Sequence, residues 1–485
     1  MQQGYLIVDI GTGNMRVIIA DTKGQLVGMA TCDCSYQREP AYRDSTVFSP
    51  SDWMADLRQL MRRALAQSGP IQLLAVSSTS QREGIVLLDA AGQAFLGLPN
   101  IDQRAADDLD RLQGDGQIER LTGFAPGAAF SGPKLYATML HQPDVARRIA
   151  KVTSISEWVG YEFTGQLAWE HSQAMHNLTY DLDSRTWSSQ LCALLGFPMD
   201  WLPELIQSGT ALGTLRGEYR QLLGCGEIPF VIGGADTQMA MTGMQLKPGD
   251  VGMISGTTTP VEMLLDHRPA HKGGWLNPHS EAGQFMLEVN AAYTGINYQR
   301  LKNLLFSQKT YEELEQEALQ RGLPRCMAMF AMGLNEPEGP VTKGGWLFDN
   351  PLPYDLHACD LMHAMALDIA CGVRMATDLL ARITDDLPET FMGCGGGLQG
   401  LLLPGYVAAL CGRPLIVYEG YMQASALGCV RMCERLLGRP PFVRKVLRRV
   451  PATPVDGLEA YYRRWRVFRE SLRSVNELRL EAVEP

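Results

Sequence analysis

The sequence predicts an α/β fold built from two related halves. Its 485 residues exceed what one hydrophobic core normally supports, so at least two domains are expected. A unit of strand, Gly/Thr turn and strand occurs at residues 5–20 and again at 251–265, and further strands and helices follow each copy. We therefore expect domains at 1–245 and 246–485, with a cleft between them that brings both turns to the same phosphates.

The first half begins with a predicted three-stranded meander. Apolar runs separated by tight turns predict its strands over 5–9, 16–21 and 25–31. Ser49 is the predicted cap of a helix over 53–67. A buried strand and a hairpin then follow, over 73–77, 84–88 and 95–98. Residues 105–228 are predicted to be mainly helical, with polar connections.

Two loops of this half carry polar groups suited to ligands. The turn Gly11–Asn14 could aim backbone amides and polar side chains at a phosphate, and Asp9, at the preceding strand end, could hold Mg²⁺ through water. A plain hairpin is the alternative for this turn. The loop Gln81-Arg82-Glu83 offers an amide, a fork of donors and a carboxylate to a polyhydroxy ligand. Its alternative is a solvated loop with an internal ion pair.

The stretch Val231–Thr259 joins the two halves. A strand over 229–232 is expected to break on Gly233-Gly234 and to present Asp236, which could accept a proton. A second strand, 251–255, opens into the turn Gly256–Thr259, whose N–H groups and hydroxyls could bind a phosphate.

The second half contains predicted strands, helices and two long irregular segments. Its remaining strands are predicted over 260–265, 286–291, 391–394 and 415–418, and its helices over 361–382, 403–411 and 458–480, with one more beginning at Gly295. Residues 267–283 and 333–357 are predicted to be a surface excursion and a long loop. The triplet Gly395–Gly397 would let a flat ring or a phosphate approach the backbone closely beside a helix N-terminus.

Composition limits the choice of partner and compartment. A net charge of −10 disfavours nucleic acid or an anionic membrane as the main partner. The eleven Cys lack zinc-site spacing, and so do His171 and His176, so we expect free thiols in a reducing cytoplasm and structural histidines. The sequence contains no run of about 18 apolar residues, so it does not predict a membrane span. The oligomeric state, a homodimer included, is left open.

Eight motifs follow one another along nearly the whole chain: DIGTGNMR (9–16), SQREG (80–84), NIDQR (100–104), SGPKL (131–135), GGADTQ (233–238), SGTTT (255–259), GCGGG (393–397) and ASALG (424–428). In this order they resemble the FGGY carbohydrate kinases, which belong to the superfamily of actin, hexokinase and Hsp70 ATPases. The resemblance implies two actin-like/ribonuclease-H-like domains with a central cleft. It also implies ATP and Mg²⁺ as cofactors and a small carbohydrate or polyol as substrate.

The resemblance also implies roles for individual residues. In the first half, these are Asp9 near Mg²⁺; Thr12, Gly13 and Asn14 in the first phosphate turn; Gln81, Arg82 and Glu83 at the polyol; and Asp236 as the catalytic base and a further substrate contact. In the second half, they are Gly256 and Thr257 in the second phosphate turn, Gly295 and Gln299 at ATP, and Gly396 and Gly397 in the adenosine loop.

The chain departs from the family pattern on both sides of the predicted cleft. Ala129 and Ala137 stand where glycerol kinases carry Tyr and where Trp is usual, which favours a larger or differently shaped substrate. Arg82–Gly84 looks closer to the kinases of autoinducer-2, a linear five-carbon dihydroxy-dione, and a pentulose kinase is the other enzyme alternative. Around the adenosine loop the departures are Gly400, Gly405, Ala409 and Gln423. They leave a non-catalytic sugar-sensing protein as an alternative of a different class.

Overall fold

The computed structural model describes residues 2–114, 116–269, 273–335, 339–476 and 478. The chain divides into two units. Unit 1 comprises Met1–Gln245, Leu276–Phe285 and Gln423–Arg444, and unit 2 comprises Leu246–Trp275, Met286–Met422 and Lys445–Pro485. Among the described residues, no helix combines the length and the apolar character that crossing a bilayer requires.

The strands are β1 Gln2–Ile10, β2 Asn14–Asp21, β3 Leu26–Asp33, β4 Ile71–Ser80, β5 Ile85–Leu88, β6 Ala94–Leu98, β7 Lys151–Ser154, β8 Trp169–Glu170, β9 Tyr180–Asp181, β10 Thr186–Trp187, β11 Leu205–Ile206, β12 Ala211–Thr214, β13 Pro229–Ala235, β14 Val251–Ile254, β15 Pro260–Leu265, β16 Trp275–Pro278, β17 Phe285–Asn290, β18 Met327–Met329, β19 Gly345–Leu347, β20 Phe391–Cys394, β21 Leu415–Tyr418 and β22 Val446–Val450.

The α-helices are α1 Pro50–Ser68, α2 Leu109–Gln113, α3 Gln117–Thr122, α4 Ser131–His141, α5 Pro143–Arg148, α6 Ile155–Thr164, α7 His171–Met175, α8 Ser189–Leu195, α9 Gly217–Leu223, α10 Asp236–Met244, α11 Thr294–Leu305, α12 Tyr311–Arg321, α13 Ala358–Thr384, α14 Leu402–Cys411, α15 Ala424–Leu436 and α16 Leu458–Leu472.

A six-stranded sheet organises unit 1, in the order β12-β13-β4-β1-β2-β3. Strands β1, β2 and β3 form the predicted antiparallel meander. Strand β4 runs parallel to both β1 and β13, and its last residue, Ser80, lies opposite both Ile10 and Ala235. The carboxyl ends of these three strands are therefore level, and the residues that follow them leave the sheet at one edge.

Helix α1 has the predicted Ser49 cap but begins three residues before the predicted start, at Pro50. The Ser49 hydroxyl accepts a hydrogen bond from the Asp52 amide at 3.3 Å, and Pro50 occupies the first turn, where its missing N–H costs nothing. The helix buries Trp53, which stacks on Phe48 with ring centroids 3.6 Å apart. This contact ties the helix to the core of unit 1.

Helices α10 and α15 pack with their backbones in close contact. A Cβ atom at Gly428 would lie 1.9 Å from the Met239 carbonyl oxygen, and one at Gly243 would lie 2.0 Å from the Ala424 carbonyl oxygen. Only glycine fits at either position. The small residues of 424–428 therefore serve helix packing.

Replacing Gly428 by Ala should destabilise the protein. The added methyl group has only backbone to displace, so α15 must move away from α10, and we expect the free energy of unfolding to fall by about 1–3 kcal/mol. Urea titration measures the change. Gly217→Ala is the matched control, because a Cβ there meets no atom closer than 3.9 Å. Equal unfolding midpoints for the two variants would contradict the close packing.

A second sheet organises unit 2, and six of its strands follow the order β17-β15-β14-β20-β21-β22. Strand β14 is antiparallel to β15 and parallel to β20, and β20 is in turn parallel to β21. The long helix α13, predicted over 361–382, spans Ala358–Thr384 and is largely buried. The strand predicted over 391–394 has those same bounds.

One prediction in the joining stretch is wrong. The strand over 229–232 does not break at Gly233-Gly234; β13 continues to Ala235, with a shift in register between Ile232 and Gly234. The neighbouring strand β4 runs alongside to the same level, and the Thr79 hydroxyl donates to the Gly234 carbonyl at 2.8 Å. Tertiary pairing thus outweighs the local preference of two glycines for a turn.

Strands also interrupt regions predicted to lack them. Among the described residues of 105–228, six short strands lie between the later helices, because connecting segments pair with one another or with β5 and β13. The predicted excursion 267–283 contains β16, and the predicted loop 333–357 contains β19; residues 270–272 and 336–338 of these segments lie outside the described residues. Helix α16 ends at Leu472 rather than 480.

Candidate active site

The level strand ends of unit 1 place two carboxylates beside the first predicted phosphate turn. Asp9, near the end of β1, is buried, and its Oδ2 accepts from Arg16 Nη2 at 2.9 Å and from the Ser425 hydroxyl at 2.8 Å. These two donors hold the Asp9 carboxylate in one orientation.

Asp236 is the first residue of α10. Its Oδ1 accepts from the Thr237 amide at 2.7 Å and from the Thr237 hydroxyl at 3.3 Å. Burial raises the pKa of Asp236 to about 6; the charge of Arg82 opposes the rise, whereas Asp9 adds to it. The carboxylate is therefore mostly ionised at neutral pH while it has an increased affinity for a proton, as a general base requires.

The turn Gly11–Asn14 leaves its tip open. Gly13 and Asn14 are exposed, and a Cβ at Gly13 would meet no atom within 4 Å. The Thr12 hydroxyl lies 2.9 Å from Asn100 Nδ2, and the Thr12 carbonyl accepts from the Tyr36 hydroxyl at 2.6 Å. These contacts fix the base of the turn and leave its tip accessible to a phosphate.

Gln81 ties this turn to the next loop. The Gln81 side-chain amide is buried, and its Nε2 donates to the Gly11 carbonyl at 3.2 Å. Its Oε1 accepts from the backbone N–H of Asn100 at 2.9 Å. These bonds use one donor and one acceptor site of the amide on the protein's own backbone. Substrate binding by Gln81 stays a prediction.

Glu83 stands in a left-handed backbone conformation, with φ at +62°. Its Oε1 lies 2.8 Å from Nδ1 of the buried His176. Burial alone would raise the pKa of Glu83, but His176, Arg82 and Lys134 together hold it below its usual range. Glu83 is thus an ionised acceptor next to a cationic Arg82. His176, which we expected from the sequence to be structural, contacts Glu83.

Lys134 is a functional candidate that the sequence analysis did not identify. It is fully buried, and its Nζ donates to the Glu83 carbonyl at 3.0 Å and to the Pro99 carbonyl at 2.6 Å. Burial lowers its pKa to about 8. The lysine therefore supports the strained backbone at Glu83. The sequence signal for a buried lysine was its position next to Leu135 in a largely apolar helix.

In unit 2, the second predicted phosphate turn packs against the start of α11. The exposed turn Gly256–Thr258 follows β14, and the Thr257 carbonyl accepts from the Ile296 amide at 3.2 Å. A Cβ at Gly295 would lie 1.9 Å from the Gly256 carbonyl oxygen. The turn thus lies against the N-terminus of a 12-residue helix, whose dipole favours anions. Gln299 is exposed one turn further along.

The glycine triplet packs against the same strand end. The Gly397 amide donates to the Ser255 carbonyl at 2.9 Å, and Cβ atoms at Gly395 and Gly397 would lie 2.4 and 2.1 Å from atoms of Ser255. A Cβ at Gly396 would meet nothing within 4 Å. The backbone at Gly396 is therefore open to a flat ligand, on the unit that also holds Gly256.

Glu315 accounts for one departure from the family pattern. Its Oε1 accepts from the amides of Leu401 and Leu402 at 2.8 and 2.6 Å, which caps helix α14. A Cβ at Gly400 would lie 2.3 Å from that oxygen. The Glu315 carboxylate thus occupies the space that a side chain at 400 would need.

Residues 4–243 match the N-terminal domain of the FGGY family of carbohydrate kinases. Over 437 residues the chain is 38% identical to YoaC of Bacillus subtilis (strain 168), which carries a provisional sugar-kinase name; the match covers 89% of this chain and 90% of YoaC. Autoinducer-2 kinase of Escherichia coli (strain K12) is 26% identical over 459 residues, covering 88% of this chain and 84% of its own length.

The solved structures of similar fold also include carbohydrate kinases. Plasmodium falciparum glycerol kinase, determined with ADP, superposes with a TM-score of 0.83 at 15% identity and covers 99% of both chains. This likeness shows that the chain has the two-domain actin-like fold. Taken with the 38% identity to a sugar-kinase relative, the comparisons show that this chain belongs to the FGGY family of carbohydrate kinases, which are phosphotransferases.

Proposed function

We propose that this kinase transfers the γ-phosphoryl group of ATP to a hydroxyl of a small sugar, polyol or linear sugar-like substrate, with Asp236 as the general base. The observation that carries the proposal is the position of Asp236. Its carboxylate, with a pKa of about 6, lies at the level strand ends with Arg82 and Glu83 close enough to influence it.

The substrate would bind at the loop after β4. Arg82 can donate to substrate hydroxyls, and the ionised Glu83 can accept from them. As the substrate oxygen forms its bond to phosphorus and the bond between phosphorus and the β–γ bridging oxygen breaks, the hydroxyl proton passes to Asp236. ADP leaves with the bridging oxygen. The protein contributes position and charge rather than covalent chemistry.

The nucleotide would bind through glycine-rich backbone. We assign the phosphates to Thr12, Gly13 and Asn14 on unit 1 and to Gly256 and Thr257 on unit 2, and ATP contacts to Gly295 and Gln299. Gly396 and Gly397 would lie against the adenosine. The ADP held by the glycerol kinase of similar fold supports ATP as the donor. The eleven free cysteines suit the cytoplasm, where ATP is supplied.

Asp9 would hold Mg²⁺ through water. The residues fit the ion, because Asp9 and Asp236 are carboxylates close enough for the charge of one to raise the pKa of the other, and carboxylate oxygens are the ligands Mg²⁺ prefers. When bound, the ion would supply positive charge to the phosphates. Arg16 and Ser425 hold Asp9 for this role.

Among named substrates we favour the linear dihydroxy-dione of autoinducer-2. The 26% identity to autoinducer-2 kinase along most of the chain supports this choice. Ala137, where the family usually has Trp, lies in a small buried apolar cluster, and Tyr42 packs against that cluster. A pentulose is the second candidate.

A coupled ADP-release screen across polyols, ketopentoses and the dihydroxy-dione tests the proposal. We expect ATP-dependent turnover with at least one of them, and stabilisation of the protein by ATP–Mg²⁺ in thermal unfolding. No turnover with any substrate, together with no thermal shift at millimolar nucleotide, would instead favour the sugar-sensing alternative that the altered Gly400, Gly405 and Ala409 raise.

The pH profile provides a second test. Asp236 accepts a proton only when it is ionised, so kcat/KM should rise tenfold per pH unit below about pH 6 and level off above it. Initial rates from pH 5 to 8 measure this limb, with the coupling enzymes verified separately at each pH. A flat profile across pH 5–7 would contradict Asp236 as the base.

A further inference from the structure

A buried polar segment, Glu170–Gln173, lies behind both functional loops of unit 1. Glu170 and Ser172 are fully buried, and Gln173 is 2% exposed. None of the roles assigned above uses this segment. Its hydrogen bonds nevertheless end on the two peptide groups that immediately precede the proposed base and the proposed substrate loop.

The first of these peptide groups joins Gly234 to Ala235, the residue before Asp236. Its carbonyl accepts from the Thr79 hydroxyl at 2.8 Å, and its N–H donates to the Ser172 hydroxyl oxygen at 3.0 Å. The peptide plane is therefore held at both ends. Because Ala235 directly precedes Asp236, this anchored peptide fixes the backbone from which Asp236 begins α10.

Glu170 orients the Ser172 hydroxyl. Its Oε2 accepts from the Ser172 hydroxyl and from the Ser172 amide at 2.7 Å, and its Oε1 accepts from the Ser208 hydroxyl at 2.7 Å. With its proton directed at Glu170, the Ser172 oxygen keeps its lone pairs for the Ala235 N–H. Removing the Glu170 charge would free this hydroxyl to turn.

A second buried carboxyl, that of Glu157, lies near Glu170. Burial raises the pKa of both Glu157 and Glu170, and the charge of Glu170 adds to the rise at Glu157, which reaches about 7. Glu170 accepts from the hydroxyls of Ser172 and Ser208 and from backbone amides, and Glu157 accepts from the hydroxyls of Ser154 and Ser156.

Gln173 holds the second peptide group, between Ser80 and Gln81. Its Nε2 donates to the Ser80 carbonyl at 3.1 Å, and the Gln81 amide donates to the Ile10 carbonyl at 2.7 Å. This peptide is also held at both ends. Arg82 follows one residue later.

We infer that Glu170, Ser172 and Gln173 are positioning residues: Glu170 and Ser172 orient Asp236 through the Gly234–Ala235 peptide, and Gln173 orients the substrate loop through the Ser80–Gln81 peptide. The kinetic effects that we expect rest on the proposed function. The orientation of the two peptide groups rests on the hydrogen bonds alone. A displacement of about 1 Å at a reacting group costs on the order of 100-fold in rate.

The two arms of the segment predict different kinetic defects. Ser172→Ala and Glu170→Gln should lower kcat roughly 10- to 100-fold and change KM little, because they misplace the base. Gln173→Met should chiefly raise the KM of the sugar, because it loosens Arg82 and Glu83. Thr153→Val is the matched control: Thr153 is equally buried in unit 1, and its hydroxyl bonds the Ala168 carbonyl at 2.8 Å.

Thermal unfolding of all four variants separates positioning from stability. If Ser172→Ala and Glu170→Gln match Thr153→Val in kcat, or if their kcat loss merely follows their loss of Tm, the inference is overturned. A wild type without turnover on any substrate would refute the proposed function instead. The crystal structure of Ser172→Ala then decides the inference: a rotated Gly234–Ala235 peptide upholds it, and an unchanged peptide overturns it.

Discussion

Asp236→Asn should reduce kcat by about 10²- to 10⁴-fold, the contribution typical of a general base, and should leave substrate binding nearly intact. The amide keeps the size and the Thr237 hydrogen bonds of the carboxylate but cannot take the hydroxyl proton. Steady-state kinetics measure the loss of turnover, and calorimetry with the sugar measures the retained affinity.

Stability should move in the opposite direction to activity. The folded state binds a proton on Asp236 more tightly than the unfolded chain does, since the pKa is raised from 3.8 to about 6. The free energy of unfolding therefore falls as the pH rises through this interval, and the neutral Asn removes that loss. We expect Asp236→Asn to be at least as stable as the wild type at pH 7.

A second buried aspartate provides the control for Asp236→Asn. Asp21 ends β2 and accepts from the amides of Lys23 and Gln25 at 2.8 and 2.9 Å, away from the proposed base. Asp21→Asn should retain turnover. Full turnover by Asp236→Asn, or an equal loss in both variants, would remove Asp236 from the role of base.

Gly295→Ala should weaken ATP binding. The new methyl group would lie 1.9 Å from the Gly256 carbonyl, so the phosphate turn must leave its place on the N-terminus of α11. We expect the KM for ATP to rise by one to two orders of magnitude, as for a loss of about 1–3 kcal/mol of binding energy. Sugar affinity, measured without nucleotide, should be unchanged.

Gly405→Ala provides the comparison within unit 2. Gly405 lies in helix α14, where a Cβ would meet nothing within 4 Å and alanine is the better helix former. This variant should match the wild type in its KM for ATP. An unaltered KM for ATP in Gly295→Ala would show that the turn at Gly256 does not hold the phosphates.

Local signals were enough to predict much of the fold. The meander β1–β3, the Ser49 cap and the strand at 391–394 depend on turn residues, capping chemistry and apolar runs that lie within a few positions of one another. The break predicted at Gly233-Gly234 failed because β4, more than 150 residues earlier in the chain, pairs with β13 on both sides of Gly233 and as far as Ala235.

The supporting residues of the candidate site could not be predicted for the same reason. Lys134 bonds carbonyls 51 and 35 positions away, and Gln173 reaches Ser80 across 93 positions. Glu315 fills the space beside Gly400 and accepts from the amide of Leu401, 86 positions later in the chain. No local pattern encodes such contacts, whereas the ordered motifs that carry Asp9, Asp236 and the glycine turns are continuous stretches and were visible in the sequence.

Phosphorus NMR of the complete reaction tests the central claim most directly. The wild-type protein is incubated with ATP–Mg²⁺ and the substrate that the screen identifies, and Asp236→Asn serves as the blank. We expect loss of the γ-phosphate resonance with equal formation of ADP and of one phosphate ester, and no ester in the blank. Conversion of ATP to ADP and inorganic phosphate with no ester, or ester formation that Asp236→Asn matches, would contradict it.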